Sequence, residues 1–310
     1  MDQRIELRHL RYFLALAEEL HFGRAAQRLH IAQPALSQQI RQLEKIVGVE
    51  LFRRTSRSVR LTDAGATFRP RAGNLLGRLA ADLDEAGRVG RGEAGRLDIA
   101  FITSATAIVS ERLRAFSRRR PDVQVRLHDG FTVDVLTALE RGTADIGIVR
   151  DAEERDDIDL ALLTTERLVA VVPTGHPAAG NGRVNAAALA ADPLILFPRS
   201  AGAHAFDVNT QPIRDTGNDV RVAQECSNWH TIIMLVAAGL GVTIAPHSVT
   251  TLLPAGARRL ELDGPPAVSR VLLATRRGDD RPLVRAFTAV SESVVAGRGE
   301  RSNDGAASAR

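Results

Sequence analysis

The hydrophobic period of this 310-residue chain changes at a run of four glycines, and that change constrains what it can fold into. Ahead of Gly87, Gly90, Gly92 and Gly95 the apolar residues repeat at helical spacing, apart from one short alternating stretch. From Arg96 onward, strand-like runs alternate with helical ones. A glycine cluster between two such regimes reads as a flexible hinge between domains. A chain of this length is expected to hold two or three compact units.

The first regime predicts three short helices and a hairpin. Leu7, Leu10, Leu14 and Ala17 form one apolar face, with Phe13 beside them. Phe22, Ala25, Ala26 and Leu29 form a second face, and Leu36, Ile40, Leu43 and Val47 a third. His30-Ile31-Ala32 is a tight connection between the second and third helices. Pro34 falls in the first turn of the third helix, where a missing N–H costs nothing. Gly48 ends it as a left-handed terminal residue. Leu51-Phe52 and Val59-Arg60-Leu61 alternate like strands on either side of a basic turn. Thr62 is a candidate N-cap for a longer helix whose apolar positions are Phe68, Ala72, Leu75, Leu79, Leu83 and Ala86. Their steps of three and four are those of a coiled-coil seam, and Pro70 falls near the helix start.

The outward face of the third helix carries Gln33, Ser37 and Arg41, with Gln38 and Gln42 alongside. Arginine can fork onto guanine and glutamine onto adenine in a major groove. A polar helix face is ordinarily just solvated. Here it follows a helix and a three-residue turn and precedes a basic hairpin, the order a DNA reader needs. The segment from Met1 to Thr62 holds eleven Arg and Lys against six Asp and Glu, a net +5 in a chain of net +4. The basic charge therefore sits on this segment, which suggests an anionic partner for it. Candidate DNA contacts are Arg24, Gln33, Pro34, Ser37, Gln38, Arg41, Arg53, Arg54 and Arg57.

In the second regime Leu97–Ile102, Val123–His128 and Ala144–Val149 read as strands, with helices at Ala107–Arg120 and Val133–Arg141. This βαβαβ order implies a parallel sheet covered by helices. A second set begins near Leu168–Val172 and includes Leu194–Phe197 and Val242–Ala245, followed by a strand at Arg270–Thr275 and a helix at Pro282–Ala296. In a two-lobed α/β domain the ligand sits in the cleft, near strand C-termini and helix N-termini. Thr103 and Ser104 end the first strand there, Thr132 follows the second, and Arg150 closes the third. Pro198 follows a strand of the second set, with Phe206 further on and Trp229 beyond. Each has a plainer reading. Ser104 and Thr132 could be N-caps, Arg150 could pair with an acid such as Glu225, and Trp229, the only tryptophan, could be core.

The runs Leu7-Arg8-His9-Leu10-Arg11-Tyr12-Phe13, Phe22-Gly23-Arg24-Ala25-Ala26, Gln33-Pro34-Ala35-Leu36-Ser37, Gly48-Val49-Glu50-Leu51-Phe52-Arg53-Arg54 and Leu61-Thr62-Asp63-Ala64-Gly65 closely resemble the LysR-type transcriptional regulators. The match is dense over the first 65 residues and looser to about residue 296. It implies an N-terminal winged helix-turn-helix over 5–62, a linker (dimerisation) helix over 63–90 and a two-lobed effector domain over 96–296, like the periplasmic solute-binding proteins. Lobe I would be about 96–166 with 270–296, lobe II about 167–269, and 297–310 a disordered tail. Phe68, Leu75, Leu79 and Leu83 would form the dimer contact.

Expected partners are promoter DNA, a small-molecule effector, a second copy in a homodimer that assembles to a homotetramer, and RNA polymerase. Gly130-Phe131-Thr132, Asp145 to Arg150, Leu194 to Pro198 and Leu235 to Val242 resemble the branch that controls aromatic-compound and muconate degradation. In that branch the hydroxyls matching Ser104 and Thr132 bind a small carboxylate. This chain departs from it in having Thr103 where glycine is common and Trp229 where a small aliphatic residue is common. Its segment from Arg199 to Asn209 also aligns poorly.

Other functions fit less well. There is no Gly-x-Ser-x-Gly elbow and no phosphate loop, so an enzyme is not expected. His204, His230 and His247 lack metal-ligand spacing, and no metal or cofactor is expected. A solute-binding protein would need a signal peptide, which the first ten residues do not resemble. A protein that only organises DNA would need no hinged two-lobed domain. The single cysteine, Cys226, fits a cytoplasmic protein, and the longest apolar stretch, Thr231 to Pro246, is too short for a bilayer.

Overall fold

The computed structural model describes residues 5–55, 58–180 and 182–307, with side chains of the last helix described only to 294. They fall into two units, Met1–Arg88 and Val89–Arg310. The first unit begins with α1 (Leu7–Glu19), α2 (Phe22–Arg28) and α3 (Gln33–Val47). A two-stranded antiparallel ribbon follows, β1 (Phe52–Arg54) and β2 (Val59–Leu61), and then α4 (Asp63–Gly90). The three helices meet in one core of Leu10, Phe13, Leu16, Ala25, Ala26, Leu36, Ile40 and Leu43, while Leu7 and Val47 of the expected faces are exposed. Gly48 caps α3 at φ +82°, and the Thr62 Oγ1 accepts the Gly65 N–H at 3.0 Å as the N-cap of α4.

The start of α4 differs from the expected seam. Phe68 is not free for a partner, because its ring packs 5.1 Å from that of Phe13, and Ala72 is buried in the same core. The first turns of α4 complete the reading unit, since three short helices alone bury too little apolar surface. Leu75 and Leu83 remain exposed, with Leu79 half-buried between them. Gly87 and Gly90 lie inside α4 and Gly95 inside the strand Ala94–Ile102, so of the four only Gly92, at positive φ, lies between the two elements. Pro70 also lies inside the helix, in its second turn.

The second unit is built on a mixed eight-stranded sheet. Its elements are β3 (Ala94–Ile102), α5 (Thr106–Arg119), β4 (Asp122–Gly130), α6 (Thr132–Glu140), β5 (Ile146–Arg150), β6 (Ile158–Pro173) and β7 (Arg183–Val184). They continue with α7 (Ala186–Leu189), β8 (Leu194–Leu196), α8 (Ala203–Arg214), β9 (Val222–Glu225), α9 (Trp229–Ala237), β10 (Thr243–Pro246), β11 (Ala257–Leu262), β12 (Val268–Arg276) and α10 (Pro282–Ala307). The sheet order is β4-β3-β5-β12-β6-β11-β7, with β10 also on β6, while β8 and β9 pair separately.

β4-β3-β5 is parallel as predicted, and β7 also pairs parallel with β11 and β8 with β9; β12 pairs antiparallel with both β5 and β6, and β10 and β11 pair antiparallel with β6. The long strand β6 enters both cores. Ile158 and Leu163 pack with Ile99, Ile148 and Phe287, whereas Leu168, Ala170 and Val172 pack with Leu194, Leu196 and Ile244. The sequence reading found only its second half, because its first half is broken by exposed polar side chains. The helical backbone of α10 also continues past Gly297 to Ala307, where an irregular tail was expected. A helix can extend on its own hydrogen-bond ladder. No described helix is long and apolar enough to cross a membrane.

Gly65 is where α4 passes closest to the ribbon. A Cβ there would lie 2.1 Å from the Leu51 carbonyl oxygen, whereas one at Gly77 would meet nothing within 4 Å. Gly65→Ala is expected to destabilise the reading unit by about 1–3 kcal/mol through overpacking. Gly77→Ala is expected to stabilise the helix by about 0.5–1 kcal/mol. Thermal unfolding of the two variants against the parent checks both signs.

Candidate functional site

In the first unit α3 buries Leu36, Ile40 and Leu43 and turns Gln33, Pro34, Gln38 and Arg41 to solvent, with Ser37 half-buried. The Arg41 Nε donates to the Ser37 carbonyl at 3.3 Å, which lays the guanidinium along the exposed face. Arg24 is tied back to α1 through the Glu19 carbonyl at 2.6 Å and the Glu19 carboxylate at 3.2 Å. Arg57 lies outside the described residues.

The two arginines expected to act together on the hairpin differ. Arg53 is exposed and lies opposite Arg60 across the ribbon. Arg54 is held: its guanidinium donates to Glu44 at 2.5 Å and stacks over the Phe22 ring at 5.2 Å. The same Glu44 carboxylate accepts the Leu51 and Phe52 N–H groups at 3.0 and 3.1 Å. Arg54 thus fastens the ribbon to the reading helix, because a half-buried carboxylate needs a counter-charge. Arg60, not among the residues expected to touch DNA, shares the outward face of the ribbon with Arg53, its place between Val59 and Leu61 turning it outward.

In the second unit a small, partly open cavity lies between the two cores. It is lined by Thr103, Ser104, Thr132, Arg150 and Trp229, as expected, and by Phe131, Phe197, Gly202, Asn228 and Ile232. Neither hydroxyl is an N-cap. Ser104 sits within a short 3-10 turn, Thr103–Ala105, and Thr132 is the first residue of α6, after Phe131. The Thr132 hydroxyl is engaged by the Arg150 backbone, donating to its carbonyl at 3.3 Å and accepting its N–H at 3.4 Å.

Arg150 is 4% exposed. Its guanidinium donates to Ser104 Oγ at 3.2 Å, Ser269 Oγ at 2.9 Å and Glu166 at 3.1 Å. Its acidic partner is therefore Glu166 of β6, not Glu225, which lies on the exposed strand β9. Burial pushes the Arg150 guanidinium down from its ordinary value, against the pull of Glu166 and Asp151. Because Ser104 accepts from Arg150, its own hydroxyl hydrogen is free to point into the cavity.

Two expected residues do not line this space. Phe206 is buried in the lobe II core, edge-on to Phe197 at 6.2 Å, and Pro198 leads into the 3-10 turn Arg199–Ala201. Phe197, one residue before Pro198, faces the cavity in their place, because side chains alternate along an extended segment. Trp229 is half-buried, packing 5.7 Å from Phe197 while lining the cavity, so core and cavity readings both hold in part. Among the described residues no group of three or more His, Cys, Asp or Glu is placed to hold a metal ion.

Two family models match the chain. The LysR substrate binding domain covers residues 90–295, and the bacterial regulatory helix-turn-helix protein, lysR family, covers residues 7–66. The chain is 43% identical over 246 residues to the uncharacterized HTH-type transcriptional regulator YnfL of Escherichia coli (strain K12), covering 79% of this chain and 83% of the relative. It is 37% identical over 286 residues to the HTH-type transcriptional regulator IlvR of Caulobacter vibrioides (strain ATCC 19089 / CIP 103742 / CB 15), covering 91% and 95%. Full-length CbnR, solved in complex with its target DNA, is similar at a TM-score of 0.79 and 25% identity, over 94% of this chain and all of that one. With its exposed Gln/Arg helix face in one unit and its cavity between two lobes in the other, the chain belongs to the LysR family: it is a DNA-binding transcriptional regulator with an effector-binding domain, not an enzyme.

Proposed function

We propose that Gln33, Gln38 and Arg41 read base edges of a promoter operator, that Arg53 and Arg60 hold its phosphates, and that Ser104 is the principal donor to a small carboxylate or aromatic-derived effector in the cavity. The observation that carries the effector reading is the Ser104–Arg150 pair. A hydroxyl whose acceptor side is occupied by a buried guanidinium presents a donor to the ligand. Thr132 supports the site through the Arg150 backbone. The sequence likeness to the aromatic-compound and muconate branch favours the same ligand chemistry.

On the DNA side, Arg53 and Arg60 are like charges directly opposite on a two-stranded ribbon, an arrangement that is destabilising without an anion nearby. A phosphate there would relieve the repulsion. The exposed stripe of Leu75 and Leu83, with Leu79 between, suits a second copy of the same helix, as a two-fold operator would require. A homodimer, its assembly to a homotetramer and contact with RNA polymerase belong to this reading. The effector can alter operator binding only by favouring one of two states of the protein.

Arg41→Ala is expected to lose on the order of 1–3 kcal/mol on the operator of its own promoter and little on random DNA. Arg53→Ala is expected to weaken both and to flatten the salt dependence by about one unit of slope. Titrations over a salt series separate the two; equal losses on both DNAs for Arg41→Ala would remove it from base readout.

Leu83 is 65% exposed in the protomer, so Leu83→Asp should leave the protomer folded. Sedimentation is expected to show dissociated protomers, since an unpaired carboxylate in the seam is costly. An unchanged oligomer would place the dimer contact elsewhere.

Ser104→Ala is expected to weaken the effector by about 1.5–3 kcal/mol, the worth of a hydrogen bond to a charged group, while leaving effector-free operator affinity intact. Calorimetry with aromatic and dicarboxylic acids tests this, and undiminished binding would move the carboxylate away from Ser104.

A further inference from the structure

The arginines of the reading unit differ in how firmly their acids hold them. Arg8, Arg24 and Arg28 pair with Glu6, Glu19 and Glu18 at the surface, and each of these arginine side chains is more than half exposed. A phosphate can replace such an acid at little cost, because an exposed pair contributes little. Arg54 is held differently. Its partner Glu44 is only 11% exposed, and the two oxygens of that carboxylate have separate tasks. Oε1 accepts the Leu51 and Phe52 N–H groups, while Oε2 accepts the Arg54 guanidinium. Along β1, Phe52 and Arg54 lie on the face turned to α3, whereas Arg53 turns outward opposite Arg60. The Phe22 ring of α2 covers the guanidinium of Arg54.

We propose that Glu44 is a positioning residue that withholds Arg54 from DNA, so that of Arg53, Arg54 and Arg60 on the ribbon only Arg53 and Arg60 meet phosphates. This rests on the reading that the outward face of the ribbon lies along the DNA backbone. To reach a phosphate, Arg54 must leave Glu44. That would strand a largely covered carboxylate without its counter-charge and set a bare anion beside the DNA. It would also give up the contact with the Phe22 ring. The exchange is therefore unfavourable for Arg54, whereas Arg24 and Arg28 can make it. Non-specific binding grows with the number of phosphates neutralised, so an arginine kept out of that number holds it down.

The separate tasks of the two oxygens allow Arg54 to be released without unfastening the ribbon. In Glu44→Gln the amide oxygen keeps the two ribbon N–H groups, since the reversed amide would set its NH₂ against two backbone donors. The NH₂ then stands where Oε2 stood, donor against donor, and the Arg54 side chain swings out at the end of β1 beside Arg53.

The test is an anisotropy titration of the full chain with a DNA duplex of random sequence, over a salt series from about 50 to 200 mM. Glu44→Gln is expected to steepen the slope of log affinity against log salt by about 0.9, the contribution of one phosphate, and to tighten binding roughly tenfold at the low-salt end. A residue that only supported the fold would weaken binding on substitution and leave the slope no steeper. Adding Arg54→Gln to Glu44→Gln should return both quantities to those of the parent. Arg54→Gln alone keeps a donor for Oε2 and should leave the slope near the parent's, while Arg53→Gln flattens it by about 0.9. Three results overturn the proposal: no steepening in Glu44→Gln, a steepening that persists in the double variant, or a flattening in Arg54→Gln equal to that in Arg53→Gln. The last comparison decides the matter even if thermal unfolding shows that Glu44→Gln does not fold. If Arg53→Gln leaves the slope unchanged, the ribbon does not lie on the backbone, and the underlying reading falls with the proposal.

Discussion

A guanidinium taken out of water is tolerated only where its charge is paired and its N–H groups are satisfied, and Arg150 sets that condition at the centre of the regulatory unit. Its three side-chain partners come from three elements: Ser104 from the turn after β3, Ser269 from β12 and Glu166 from β6. Glu166 also accepts the Ser248 hydroxyl at 2.8 Å, from a 3-10 turn that follows β10 in lobe II. Asp151 completes the arrangement, held at φ +45° so that its carboxylate takes the Ser269 hydroxyl and the Arg270 N–H. One buried cation thereby links the wall of the cavity to both strands that join the lobes. On the proposed reading, a ligand that accepts the Ser104 hydroxyl hydrogen would strengthen the bond Arg150 already donates to that oxygen, since hydrogen bonds in a chain polarise one another.

The reading unit follows the same logic with the sign reversed. Glu44 is a largely covered carboxylate on the recognition helix, and two ribbon N–H groups and Arg54 satisfy it. The ribbon's position relative to α3 is fixed by that carboxylate as well as by the packing of Phe52 on Phe13. As a result, neighbouring arginines in one basic run have different tasks. Arg54 holds the unit together, whereas Arg53 and Arg60 share the open face of the ribbon. Charge counting along the chain cannot separate them, because it does not record which acid lies within reach.

The sequence by itself determined the three helices, the caps at Gly48 and Thr62, the two-unit division and the outward set on α3. These are local: helical period, turn chemistry and the alternation of inward and outward residues act over a few positions. It also placed Thr103, Ser104, Thr132 and Arg150 at strand ends, since a βα unit puts the residue after each strand on one edge of the sheet. Only the tertiary structure decided what depends on residues distant in sequence. Arg150 meets Glu166 rather than Glu225 because β6 runs antiparallel to β12, which pairs with β5 on its other side. Phe68 turns towards the core of the reading unit, where its ring meets that of Phe13 from a distant part of the sequence. Phe197 lines the cavity, and Phe206 does not, because the packing of lobe II leaves the ring of Phe197 between Trp229 and Phe206. Partner choice among buried groups is set by pairing energies summed over the whole fold, and a one-dimensional pattern does not carry that sum.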